Sequence, residues 1–221
     1  MFYKVLFMEE QNLPTESLQE IKDIRRLMDR SSRFISLSGL SGIAAGICAL
    51  AGALVVTQVD RNFMNISEET AQSGRAGESV MKIMTLTWIG IIVFIAAFVL
   101  AFFFTWQRSK KTGVPVWGST SKRLLFNTAI PMLVGGVVIF RLIELELITL
   151  IAPACLIFYG LALLNGSKYT LGEVRYLGYC QIILGLINLW VPGYGLYFWA
   201  VGFGILHIIY GAIMWFKYER K

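Results

Sequence analysis

The residue in this sequence best suited to chemistry is its single histidine, His207, which lies inside an apolar stretch. Imidazole can exchange a proton, make hydrogen bonds or bind a metal near neutral pH. An ionisable residue inside a membrane-spanning segment predicts a functional site, with a partner at similar depth. Two polar side chains, Gln181 and Tyr159, lie at that depth in neighbouring apolar stretches. The sequence therefore predicts an intramembrane polar cluster of His207, Gln181 and Tyr159.

Two interpretations of this cluster stay open at the level of sequence. In the first, a neutral His207 is hydrogen-bonded to Gln181 or Tyr159 and serves packing alone, because a buried polar group needs a partner. In the second, the three side chains line a polar pocket for a ligand or a permeating solute. Proton transfer and haem ligation are further uses of the same histidine.

The sequence predicts no other catalytic or metal site. The cysteines Cys48, Cys155 and Cys180 have no CxxC spacing, and with one histidine they exclude a multi-Cys or multi-His metal site. Phosphate-binding, dinucleotide-binding and Ser-His-Asp patterns are also missing from the sequence. We therefore expect no cofactor, no bound metal and no enzymatic activity.

The composition predicts the elements that position the cluster. Of the 221 residues 56% are hydrophobic and 15% are charged, whereas soluble domains carry about 25% charged residues. A helix needs about 17–25 mostly apolar residues to cross a bilayer. Six stretches have this character, and we expect an all-α integral membrane protein built as a six-transmembrane-helix bundle. The stretches are 35–57, 83–105, 124–140, 147–165, 176–192 and 196–216.

Lys and Arg predict the orientation of the bundle. The segments that alternate along the chain carry 16 basic residues on one side and 4 on the other. The positive-inside rule places the first set, with both termini, in the cytoplasm. The net charge of +6 then reflects this bias and contact with anionic lipid, and it predicts no nucleic-acid partner. Residues 58–82 are predicted to form a long polar loop on the opposite side.

Residues 1–34 are predicted to form a cytoplasmic N-terminal segment, followed by the membrane domain 35–216 and a cytoplasmic tail 217–221. Ser17 and Glu20 fit a capping box that begins an amphipathic helix. Its apolar positions recur at helical spacing, and a basic row lies beside them. This helix is either an interfacial extension of the first span or a docking element for a protein partner. The apolar positions are Leu18, Ile21, Ile24 and Met28, and the basic row is Lys22, Arg26 and Arg30. The residues before it fit an upstream start codon, with Met8 as the natural start, or a short leader from Met1.

A stripe of small residues predicts close helix packing in the first span. Ser38, Gly42 and Gly46 are spaced four residues apart and share one face of a helix. Small residues at this spacing let two helix backbones approach closely. The neighbour is either another span of the same chain or a second copy in a homo-oligomer.

Segments of the chain resemble a bacterial family of six-span inner-membrane proteins. The resemblance extends from about Ser17 to the end, and it is carried by an SSRFISLSGLSG opening, by LIFYGLA and SKYTL, and by the ending GYGLYFWAVGFGILHIIYG. It implies a multi-pass location in the bacterial cytoplasmic membrane. The family has no established activity, so no functional residue follows from it.

These observations favour a non-enzymatic membrane protein that acts through protein contacts, in a regulatory or scaffolding role. The alternative is a transporter or channel for a small solute, with a polar site around His207. A packed interior at His207 would favour the first, and a cavity reached by water would favour the second.

Overall fold

The computed structural model describes residues 38–69, 75–113 and 117–220. The described part of the chain is all-helical, and it contains six successive long helices. We number them α1 (Gly39–Glu69), α2 (Arg75–Thr112), α3 (Ser119–Glu144), α4 (Ile151–Gly166), α5 (Glu173–Trp190) and α6 (Gly195–Tyr218). The predicted N-terminal amphipathic helix, the start site and Lys221 lie outside the described residues.

The first two helices are longer than the apolar stretches that predicted them. Helix α1 contains 31 residues and α2 contains 38, so most of the predicted loop at 58–82 is helical. That prediction was wrong because hydropathy marks where a segment stops being apolar. Backbone hydrogen bonding continues into polar residues that retain helical propensity.

Within the described residues, five helices, α1–α4 and α6, are long and apolar enough to cross a membrane. Helix α4 is counted with its flanking turns. They support a multi-pass helical membrane protein. The predicted fifth span, 176–192, lies on α5, an 18-residue helix that is not among the five. Its polarity comes from Glu173 and Arg175 in the first turn and from Gln181 and Asn188 farther along.

Helix α6 lies between two groups of helices. On one side it packs along α1, and α1 in turn packs against α2. On the other side its first turns contact α4, which packs closely against both α5 and α3. Helices α2 and α3 therefore lie at opposite edges, and both expose large apolar side chains.

Polar contacts join several helix ends at one end of the bundle. Glu219, just after α6, accepts hydrogen bonds from Ser38 and Gly39 at the start of α1 and forms an ion pair with Arg108 near the end of α2. Glu173, at the start of α5, pairs with Lys217 near the end of α6. The starts of α1 and α5 and the ends of α2 and α6 therefore share one end of the molecule.

Candidate functional site

The stripe of small residues on α1 packs against α6. A Cβ atom added to Gly42 would lie 3.1 Å from the Cα of Gly211, and one added to Gly46 would lie 2.7 Å from the carbonyl oxygen of Gly204. Both distances join α1 to the backbone of α6, so glycine is needed for this approach. Ser38 contributes differently, because its hydroxyl donates a hydrogen bond to Glu219. The predicted face is thus occupied within the chain.

His207 is buried in α6 and hydrogen-bonded to α4. Its Nε2 atom lies 2.8 Å from the hydroxyl of Tyr159, and its Nδ1 atom lies 3.0 Å from the carbonyl oxygen of Gly202, five residues earlier. A carbonyl oxygen only accepts hydrogen bonds, so Nδ1 carries the proton in this arrangement. In the neutral ring Nε2 is then the acceptor, and the Tyr159 hydroxyl donates to it.

Gln181 joins the same cluster from α5 through the backbone of α6. Its side-chain Nε2 donates to the Gly202 carbonyl oxygen over 2.8 Å, and the residue is fully buried. The structure therefore brings His207, Tyr159 and Gln181 together around the backbone of Gly202. No side-chain pattern in the sequence marks Gly202, because this residue acts through its backbone carbonyl.

The Gly202 carbonyl belongs to an irregular part of α6. Residues Ala200–Ile205 form a π-helical segment between the α-helical segments Gly195–Trp199 and Leu206–Tyr218. Such segments are rare and often occur at functional sites. Their wider turn presents carbonyl groups to side chains outside the helix, as it does here to Gln181.

Comparison of the chain with protein-family models, curated proteins and solved structures found no match. What the cluster can do therefore follows from its own geometry.

Aromatic rings close one side of the cluster. The ring centroid of Phe203 lies 5.1 Å from that of Tyr159 and 6.0 Å from that of His207, and Trp199 also packs against Phe203. Rings at these separations make favourable contacts beyond simple burial of their area. The imidazole is thus held in a fixed orientation by two hydrogen bonds and a stacked ring.

The backbone around the cluster is closely packed. A Cβ atom added to Gly202 would lie 2.4 Å from Leu156 Cδ2 and 2.6 Å from Gln181 Oε1. On the neighbouring interface, one added to Gly160 would lie 2.8 Å from the carbonyl oxygen of Gly178. These separations leave no room for a substrate between Gly202 and its neighbours.

Three buried polar atoms have no hydrogen-bond partner in the part of the chain that the structure describes. They are Gln181 Oε1, Asn188 Oδ1 and the hydroxyl oxygen of Tyr210. Gln181 and Asn188 are seven residues apart and share the buried face of α5. A buried polar atom without a partner costs about 1–3 kcal/mol, so each of these atoms has an open hydrogen-bonding position.

The second polar cluster lies at the end of the bundle where Glu219 is found. The side chains of Arg108 and Glu219 are only 10% and 14% exposed, and their closest atoms are 2.7 Å apart. Glu219 also accepts from the backbone N–H of Gly39, so a carboxylate caps the first turn of α1. Negative charge at a helix N-terminus is stabilising. In the sequence, Arg108 contributes only to the count of basic residues that predicts the orientation, and nothing there pairs it with Glu219.

Glu173 is held ionised at the same end of the molecule. Burial raises the pKa of this carboxyl, but hydrogen bonds from Lys217, from the backbone and from Tyr218, with the Lys217 charge, lower it below its usual range. The Lys217 Nζ to Glu173 Oε1 distance is 2.5 Å, and the Tyr218 hydroxyl lies 2.9 Å from the same oxygen. The arrangement ties the start of α5 to the end of α6.

Neither cluster contains the groups of a metal site. Among the described residues, no three His, Cys, Asp or Glu side chains lie close enough together to hold a metal ion. What the His207 cluster offers chemically is hydrogen bonding between three helices.

Proposed function

We propose that this chain is an integral membrane protein that crosses the bilayer six times, has both termini in the cytoplasm, and acts through protein contacts rather than by catalysis. Its membrane is the bacterial cytoplasmic membrane, as the resemblance of the sequence implies. The role through those contacts is regulatory or scaffolding.

The parity of the crossings supports six spans. Five crossings would place the start of α1 and the end of α6 on opposite sides of the membrane. Glu219, however, contacts both Ser38 and Gly39, and this contact supports a common side for the two ends and therefore an even number of crossings. Helix α5 is the remaining candidate, and its 18 residues extend about 27 Å, close to the thickness of a bilayer core.

The polar groups of α5 explain why hydropathy ranks it below the other helices. Gln181 and Asn188 are buried against neighbouring helices, and each donates a hydrogen bond inside the protein. A polar side chain that is buried in the bundle and donates a hydrogen bond there is not exposed to lipid. The helix can therefore cross the membrane with a lower mean hydropathy.

The basic residues support a cytoplasmic position for the end of the bundle where Arg108, Glu219 and Lys217 meet. Lys110 and Lys111 end α2, and Lys122 and Arg123 lie in the first turns of α3. Lys110 lies 3.7 Å above the ring of Trp106, a pairing typical of a helix end at a membrane surface.

The observation that carries the non-catalytic proposal is the engagement of His207. Both nitrogens of its ring are used within the protein, by Tyr159 and by Gly202. A general base or a metal ligand needs a nitrogen that faces a reacting group. The single histidine of the sequence is thus used in hydrogen bonds within the protein.

The N-terminal segment is our candidate for the partner contact. This part of the proposal rests on the sequence pattern, in which Leu18, Ile21, Ile24 and Met28 form one apolar stripe. Such a stripe fits a groove or a second helix in a partner. If the partner is a second copy of the chain, the two copies must contact each other through a surface other than Gly42 and Gly46, because α6 covers that face.

Site-specific photocrosslinking in intact cells tests this proposal. A photoreactive residue at Ile24 should give one discrete protein adduct, identified by mass spectrometry, and Ile21→Glu should abolish it. A photoreactive residue at Arg26, on the basic row, is the matched control. If no position of the stripe gives a protein adduct at normal expression, the contact proposal fails.

Transport of a small polar solute is a second candidate function. The unpaired acceptors Gln181 Oε1 and Asn188 Oδ1, on one buried face of α5, are the observation that favours it. Light scattering from osmotically shocked proteoliposomes tests it, with glycerol and urea as probes. Our leading proposal expects the same swelling rate as in protein-free vesicles. Faster swelling that Gln181→Leu abolishes would favour transport.

A further inference from the structure

Helix α6 changes its hydrogen-bonding register in the middle. Within Ala200–Ile205 the helix is π-helical, and the backbone N–H of Leu206 donates to the carbonyl of Val201, five residues earlier. An α-helix joins residues four apart, so the π segment holds one additional residue in its turn. The segments Gly195–Trp199 and Leu206–Tyr218 are therefore offset by one residue relative to a continuous α-helix.

This segment is also where the two groups of helices meet. Gly202 lies against Leu156 of α4 and Gln181 of α5, while Gly204 lies against Leu50 of α1. A Cβ atom at Gly202 would be 2.4 Å from Leu156, and one at Gly204 would be 2.4 Å from Leu50. A change of register in α6 would consequently alter its contacts with both groups at once.

Side chains hold the π-helical form in place. In a regular α-helix the Gly202 carbonyl would accept from the N–H of Leu206, which is used here by Val201. The Gly202 oxygen instead accepts from Gln181 and from His207. Tyr159 in turn holds the His207 ring. These three side chains come from three different helices, and all favour the same register.

We propose that Ala200–Ile205 is a register switch, held in its π-helical form by hydrogen bonds of Gln181 and His207 to the Gly202 carbonyl. Release of those bonds lets α6 become continuously α-helical. The segment Gly195–Trp199 then turns by about 100° and moves about 1.5 Å along the axis relative to Leu206–Tyr218. Rotation of one half of a helix against the other carries a signal between the two sides of a membrane.

Electron–electron distance measurements on the full chain test the switch. One pair of spin labels replaces Tyr197 and Trp88, which are exposed on α6 and α2. A reference pair replaces Phe216 and Phe103, near the other ends of the same helices. In Gln181→Leu the first pair should show a second population of distances, because the backbone at Tyr197 moves by roughly 3–4 Å. The distance of the reference pair should stay unchanged.

The matched control is Asn188→Leu, which also removes a buried amide of α5 but none of the bonds to Gly202. It should leave both distances at their wild-type values. An unshifted single population in Gln181→Leu would overturn the switch, as would the same shift in Asn188→Leu.

Hydrogen exchange on the wild-type protein gives an answer even where the variant fails to fold. The amides of Ala200–Ile205 should exchange at least tenfold faster than those of Leu206–Tyr218, because a segment with two registers opens locally. Exchange as slow as in the flanking helix would overturn the proposal.

Discussion

Tyr159 and His207 join helices α4 and α6 through a hydrogen bond of 2.8 Å between the tyrosine hydroxyl and Nε2 of the imidazole. The pair lies where the two groups of helices meet, next to the π-helical segment of α6. Because His207 also donates to Gly202, its side chain connects a neighbouring helix to the backbone of its own.

A double-mutant cycle should show that Tyr159 and His207 act as a unit. Tyr159→Phe removes the hydrogen-bond donor. His207→Phe alone leaves the buried Tyr159 hydroxyl unsatisfied, at a cost of about 1–3 kcal/mol. The double variant removes both partners. Thermal unfolding in detergent should therefore show a coupling of about 0.5–3 kcal/mol. Tyr179→Phe, at an exposed tyrosine of α5, is the control. Additive effects would mean that the two residues do not interact.

Replacing Gly46 by Leu should destabilise the contact between α1 and α6. A Cβ atom there already lies 2.7 Å from the carbonyl of Gly204 and from the side chain of Ile208, so a larger residue forces the helices apart. Overpacking of this kind costs about 1–3 kcal/mol, which should lower the melting temperature in detergent. Gly90→Leu is the matched control, because no atom lies within 4 Å of a Cβ at that position. Equal melting temperatures for the two variants would contradict the packing described here.

The ion pair of Arg108 and Glu219 should stabilise the protein more than an exposed pair does. Glu219→Gln removes the charge that faces both Arg108 and the first turn of α1, and hydrogen bonds to charged groups contribute about 1.5–3 kcal/mol. Glu144→Gln is the control, because the Arg141–Glu144 pair is 65% and 45% exposed and such pairs contribute about 0–1 kcal/mol. Denaturation of both variants in detergent makes the comparison. A larger loss in Glu144→Gln would contradict the burial of the Arg108 pair.

Acid should weaken the contact between the start of α5 and the end of α6. The pKa of Glu173 is lower in the folded protein than the usual value of about 4.3 for an unfolded chain. Its stabilising contribution is therefore complete above the unfolded pKa and is lost as pH falls through the folded pKa. The difference in melting temperature between the wild type and Glu173→Gln should be constant from pH 7 to 5 and shrink below pH 4. A difference that grows in acid would contradict the lowered pKa.

The three side chains of the polar cluster could be predicted from the sequence because the position of a residue along a spanning helix indicates its depth in the membrane. Counting residues from the helix ends places His207, Gln181 and Tyr159 at one level, and the helices bring them together. Hydropathy could not reveal that Gly202 would join them, since its carbonyl becomes available only through the π-helical turn. That turn is bonded to Gln181 and lies against Leu156 and Leu50, and all three residues are distant from it in sequence.

Two other features show what a sequence pattern leaves undecided. The small residues Gly42 and Gly46 predicted close packing, but a stripe on one helix does not identify its neighbour. Gly204 and Gly211 of α6 lie opposite this stripe. They form a second stripe of small residues, and matching the two stripes in the sequence would have identified α6 as the neighbour. The Arg108–Glu219 contact joins residues 111 positions apart. Counting basic residues predicts on which side of the membrane a segment lies, but it does not predict which charges pair.

The central claim, six crossings with both ends on one side, is tested most directly at the two ends of α5. Single cysteines are introduced at Lys168, before α5, and at Tyr194, after it, in a chain whose native cysteines are replaced. Both positions are exposed. A membrane-impermeant maleimide added to spheroplasts should label the Tyr194→Cys protein at once and the Lys168→Cys protein only after lysis. Labelling of both positions from the same side would mean that α5 does not cross the membrane, and would contradict the six-span account.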